Sequence, residues 1–101
     1  METGRKKRVY VSGPISGCDI GERKREFEKV CSILSGKGFS VTNPLLNGLD
    51  ENARYEEHMK EDISELLRCD SIYLLKGWGN SSGCQLEYQV AKACGMEIIK
   101  E

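Results

Sequence analysis

Short β-branched and aromatic runs alternate with segments whose apolar residues recur at helical spacing. This alternation constrains the fold more than any other property of the chain. Arg8 to Ser12 reads as a strand ended by Gly13-Pro14. Asp19 to about Lys37 reads as a helix, with Phe27, Val30, Cys31 and Leu34 on one face and Gly36 and Gly38 to stop it. Phe39 to Asn43 is a second strand, and Leu45 to Arg54 has turn residues without a period. Tyr55 to Arg68 is a second helix with Met59, Ile63, Leu66 and Leu67 inward. Ser71 to Leu75 is a third strand. Ser82 to Cys94 is a third helix with Leu86, Val90 and Ala93 as its core stripe, and Met96 to Ile99 is a last strand. The order β-α-β-α-β-α-β predicts an α/β fold: a Rossmann/flavodoxin-like three-layer sandwich around a four-stranded, mostly parallel sheet.

Such a fold fixes where chemistry can sit. Ligands of open α/β sheets bind beyond the carboxyl ends of the strands. Three loops are expected there: Gly13-Pro14-Ile15-Ser16-Gly17, Asn43 to Gly48, and Lys76 to Gly83. They are also rich in Gly, Asn, Ser and Pro, so residue chemistry and topology name the same rim.

The 101 residues fit one domain, 1–101. A net charge of −1 gives no electrostatic footprint for nucleic acid. The basic run Arg5-Lys6-Lys7-Arg8 reads as a solvated lead-in to the first strand. No apolar run approaches membrane-spanning length and no signal peptide is evident, so a cytoplasmic protein is expected. The five cysteines form no CxxC pair. Free thiols are expected rather than a zinc site or a disulfide framework, and Cys84 is the one to watch because of its loop.

The sequence Trp78-Gly79-Asn80-Ser81-Ser82-Gly83-Cys84-Gln85-Leu86-Glu87 carries the sharpest signal. A small-residue loop opens into a helix with a carboxylate about one turn in. Helix-start N–H groups hold phosphate well and keep a nearby carboxylate ionised. An ionised carboxylate beside a pocket is a potential nucleophile. The plainer reading of Glu87 is an acidic residue that stabilises its helix. Asp62 taken alone is an ordinary solvated residue of an acidic helix, and Asp70 a turn residue. Tyr10 alternates with Val9 and Val11, and is either a core residue with a satisfied hydroxyl or one that reaches the pocket. Trp78 either stacks on a base or packs as a lid. The Gly13–Gly17 loop lacks both GxGxxG and the P-loop Lys-Ser/Thr. His58, among charges, reads as solvated.

Three blocks in this order resemble the nucleoside 2-deoxyribosyltransferase-like superfamily: Val9 to Gly17, Glu61-Asp62-Ile63 through Cys69-Asp70, and Ser81 to Glu87. The resemblance spans nearly the whole chain. It implies Glu87 as nucleophile on the anomeric carbon of a nucleoside or nucleotide, Asp62 orienting the sugar hydroxyls or the nucleophile, and Tyr10 positioning Glu87. A substrate pocket formed by Gly13, Ile15, Ser16, Gly17, Asn43, Trp78, Ser81, Ser82 and Gly83 of the rim loops is expected. The resemblance implies no cofactor and no metal, and a homodimer.

Ser81, six residues before Glu87, is similar to the phosphate-binding serine of the 2′-deoxynucleoside 5′-monophosphate N-glycosidases; transferases acting on free nucleosides carry an Asp there. Ser16 departs from the Arg that those hydrolases carry in the first loop. The expectation is a nucleotide N-glycosidase or deoxyribosyltransferase. Its rival is a pocket that binds a nucleotide, or a signal derived from one, without turning it over.

Overall fold

A computed structural model describes residues 6–101; Arg5 of the basic run lies outside them. Along the chain run β1 (Arg8–Ser12), α1 (Ile20–Gly36), β2 (Ser40–Thr42), α2 (Tyr55–Leu66), β3 (Ser71–Leu74), α3 (Ser82–Ala93) and β4 (Glu97–Lys100). Short 3-10 helices at Pro44–Leu46 and Trp78–Asn80 interrupt two segments expected as plain loop. All neighbouring strands are parallel, in the order β2-β1-β3-β4. The expected α/β architecture is therefore the observed one.

Local chemistry sets the helix ends. The Asp19 carboxylate accepts the Glu22 N–H at 2.9 Å and opens α1. The Glu57 carboxylate accepts the Arg54 N–H at 3.0 Å at the start of α2. Ser81 Oγ accepts the Cys84 N–H at 3.3 Å and opens α3. Gly38 and Gly95, with φ of +99° and +71°, turn the chain out of α1 and α3.

The sheet has a core on each face. Val9 and Val11 of β1 pack with Phe27, Val30 and Leu34 of α1 and with Leu75. Tyr10 packs on the other side with Leu66 of α2, Ile72 and Leu74 of β3, and Ala91 of α3. From β1 the chain first steps outward to β2 over α1. It then crosses back past β1 to β3, and on to β4, over α2 and α3. A reversal of direction accompanied by a change of face keeps all three crossovers of one hand. The reversal lies between β1 and β3, so their carboxyl ends open the crevice where such sheets bind ligands.

Two expected helix stripes are displaced. In α3 the buried residues are Cys84, Glu87 and Ala91, whereas Leu86 is 49% exposed and Ala93 is also exposed. In α2 they are Asp62 and Leu66, with Leu67 out in solvent. In each helix the inward stripe includes a carboxyl group, so hydrophobic periodicity points slightly off the true axis.

Candidate active site

The site begins with the period of a strand. Tyr10 and Ser12 stand two apart on β1, so both face α2 and α3. Glu87 of α3 comes down between them. Tyr10 Oη donates to Glu87 Oε2 at 2.8 Å, and Ser12 Oγ donates to Oε1 at 2.6 Å. Both carboxyl oxygens thus accept a hydrogen bond, in a side chain that is only 6% exposed. Ser12 is a site residue that the sequence did not single out, although its place two after Tyr10 on the same face was a readable signal.

Two close approaches bring the walls together. A Cβ on Gly13 would sit 2.6 Å from Leu75 Cδ1, so only glycine lets the first loop pass over the end of β3. A Cβ on Gly83 would meet Tyr55 Oη at 3.1 Å and Met59 Sδ at 3.3 Å, where α3 begins against α2.

Between the loops lies a cavity of about 760 Å³, of the size that takes a small molecule. Glu87 and Asp62 line it, as do Gly13, Ile15, Ser16, Ser81, Ser82 and Gly83. Other expected residues lie off the cavity. Gly17, at φ +79°, shapes the first turn. Asn43 caps the Pro44–Leu46 helix by accepting the Leu45 N–H at 3.0 Å. Trp78 packs on Tyr88, with ring centroids 4.9 Å apart, and Lys100 lies over its ring. Of its two open readings, the packed one describes its position. Tyr55 is the aromatic side chain that does line the cavity.

The electrostatics correct one expectation. Glu87 lies six residues beyond the Ser81 cap, and the first turn of α3 holds no acidic residue. The helix-start field falls off within that turn and does not govern it. Burial does, raising its pKa from 4.5 to about 7, against the opposing hydrogen bonds from Ser12 and Tyr10; the Asp62 charge raises it further. Burial and the Glu87 charge push Tyr10 well above the usual phenol range, so it remains a donor. Burial likewise raises the Cys84 thiol, which keeps that cavity residue neutral.

Asp62 is 7% exposed rather than solvated. Burial raises its pKa, and the hydrogen bond from Asn47 opposes the rise. Asn47 Nδ2 donates to Asp62 Oδ1 at 3.0 Å and also lies 3.1 Å from His58 Nδ1. His58, expected in solvent, is half-buried in the cavity wall. A signal was available: His58 and Asp62 are four apart on α2, which puts them on one face. Asn47 carried no such signal, because its segment has no period.

At the mouth, Lys24 Nζ of α1 pairs with Glu51 Oε2 at 2.6 Å, and both residues line the cavity. Among the described residues no cluster of His, Cys, Asp or Glu is arranged to hold a metal ion. No described helix is long and apolar enough to cross a membrane.

The fold is similar to that of solved nucleoside- and nucleotide-related enzymes. The 2-desoxiribosyltransferase of Leishmania mexicana superimposes with a TM-score of 0.71 at 21% identity, over 93% of this chain and 63% of that one. The CMP N-glycosidase BcmB of Clostridium botulinum superimposes with a TM-score of 0.65 at 24% identity, over 93% of this chain and 70% of its own. The chain therefore spans somewhat under two thirds of the length of the first. Residues 7–100 match the model of a domain of unknown function, DUF4406, and the chain belongs to that family. No curated protein matches it.

Proposed function

We propose that this chain cleaves the glycosidic bond of a nucleoside 5′-monophosphate, as an N-glycosidase or deoxyribosyltransferase, with Glu87 as nucleophile. The observation that carries the proposal is a buried glutamate held by Tyr10 and Ser12 in the wall of a nucleotide-sized cavity. Two solved proteins similar in fold act on a deoxyribosyl group and on CMP, by their names, and lend the reading further support.

In the proposed reaction a Glu87 oxygen forms a bond to the sugar C1′. The C1′–N bond breaks, and its electron pair leaves with the base, which takes up a proton. Water, or a second base, then displaces the glutamate from the glycosyl ester and restores the carboxylate, the logic of a retaining glycosidase. Two hydrogen bonds fix the direction of approach. Asp62 orients the sugar hydroxyls or the nucleophile. Ser81, Ser82 and Gly83 line the cavity at the start of α3, and the serine hydroxyls with the Ser82 and Gly83 N–H groups would receive the phosphate.

The test is release of free base from a panel of ribo- and deoxynucleoside monophosphates. Activity is expected with at least one, and Glu87→Gln should lower it by at least about a thousandfold while remaining folded. Ligand-dependent thermal stabilisation with no product from any member would replace this reading with the binding module.

A further inference from the structure

We propose that His58 is a positioning residue: through Asn47 it fixes the carboxyl of Asp62 in the cavity wall, and only as the neutral tautomer carrying its hydrogen on Nε2. Its role in turnover rests on the glycosidase reading; the tautomer and the linkage to Asp62 do not.

The hydrogen-bond directions follow from groups that cannot reverse. A backbone N–H can only donate, and the Leu49 N–H reaches Asn47 Oδ1 at 3.0 Å. That fixes which end of the Asn47 amide is oxygen. Its Nδ2 then has two hydrogens and two neighbours, Asp62 Oδ1 at 3.0 Å and His58 Nδ1 at 3.1 Å. Facing a donor, His58 Nδ1 must accept. A carbonyl can only accept, and that of Asp50 lies 3.1 Å from His58 Nε2, which must therefore carry the hydrogen. Two separate constraints assign the same tautomer.

The linkage ties the 47–50 segment to α2 at both imidazole nitrogens. It also uses both Nδ2 hydrogens, so Asn47 holds Asp62 in one orientation. Protonation of His58 at Nδ1 would set donor against donor. Turning the Asn47 amide would not relieve this, because it would lose the Leu49 bond and aim Oδ1 at a carboxylate. The charged or titratable groups acting on Asp62 and its surroundings are Glu61 and Glu65 on α2, Glu87 on α3 and Tyr10 on β1. None of these groups meets Asp62 through a shared amide, as His58 does.

His58 is the only histidine in the chain, so its ring nitrogens are assigned without ambiguity in the full-length ¹⁵N-labelled protein. Long-range ¹H–¹⁵N spectra of the neutral ring are expected to show an unprotonated Nδ1. The Nδ1–H tautomer would overturn the proposal. Asn47→Asp keeps an acceptor for Leu49 but removes both donors. It should convert His58 to an Nδ1-protonated form and move the Asp62 carboxyl ¹³C titration to higher pH; no change in either overturns the linkage. Neither measurement needs a substrate, so a missing activity leaves them decisive.

In turnover, His58→Phe should lower kcat by about tenfold or more with KM within about twofold, the size of one hydrogen bond to a charged group. His58→Gln, whose side-chain oxygen can still accept from Asn47, should recover most of it. Equal losses in both variants, in protein that melts like the wild type, would also overturn the role. If His58→Phe does not fold, the Asn47→Asp titrations decide the outcome.

Discussion

The two faces of β1 are built from alternate residues of five consecutive positions, yet they differ in kind. Val9 and Val11 meet Phe27, Val30 and Leu34, a wholly apolar contact on the α1 face. Tyr10 and Ser12, on the α2/α3 face, meet a carboxyl group. The first arrangement gains stability simply by leaving water. The second puts an ionisable group where burial disfavours its charge and offsets that cost with two donors. The α1 face thus anchors the strand, and the other face carries a buried ionisable group.

Truncation on the apolar face is expected to give the largest effect. Phe27 is fully buried, and Phe27→Ala should cost about 3–5 kcal/mol in denaturant unfolding, from lost transfer energy and the cavity left behind. Where the variant is still folded, the pH dependence of the proposed activity should be unchanged. A cost under about 1 kcal/mol would mean that α1 does not anchor the sheet.

A smaller effect, of opposite sign, belongs to Glu87. Its pKa is about 7 in the fold against an ordinary 4.5, so between these values the folded state binds more protons than the unfolded one. Stability from this group therefore falls as pH rises from 4.5 through 7. At ~1.4 kcal/mol for each pH unit the loss is about 3 kcal/mol by pH 8. Glu87→Gln has no such proton to lose. Asp62 and Glu65 are raised too, but they titrate in both proteins and largely cancel. The variant's stability relative to wild type should increase by about 3 kcal/mol between pH 4.5 and pH 8, read from urea melts. A difference that stays flat with pH would mean that Glu87 is not buried as described.

The same contrast explains what could be read from the sequence. The apolar face announces itself: Phe27, Val30 and Leu34 have helical spacing and no competing signal, and α1 lies where the pattern puts it. On the other face the pattern misleads. Leu86 draws the expected stripe of α3 toward itself, while the residue that turns inward is Glu87. A buried carboxyl is tolerated only because Tyr10 and Ser12 supply donors from another element, and no local window contains that fact. The three family-like blocks named Tyr10, Asp62 and Glu87 but could not supply Asn47, whose contacts join a loop to a helix. Trp78 was ambiguous for a related reason. Its partners Tyr88 and Lys100 come from α3 and β4, and only tertiary structure brings them to the loop.

The finest test of the comparison removes a single oxygen from the polar face. Tyr10→Phe keeps the buried ring but deletes the donor to Glu87 Oε2. The bond lowers the pKa of Glu87, so its loss should move that pKa above about 7. If the ionised carboxylate is the nucleophile, the rising limb of kcat/KM against pH should move to higher pH. At neutral pH the rate should fall by about tenfold, as expected for one hydrogen bond to a charged group of ~1.5 kcal/mol. Much of the loss should return in alkaline buffer, where Glu87 ionises anyway. Below neutral pH stability should change little, because Glu87 is then mostly protonated. Were Tyr10→Phe instead to lower stability as much as Phe27→Ala while leaving the pH profile in place, Tyr10 would be one more core residue. The two faces of β1 would then differ in composition but not in purpose.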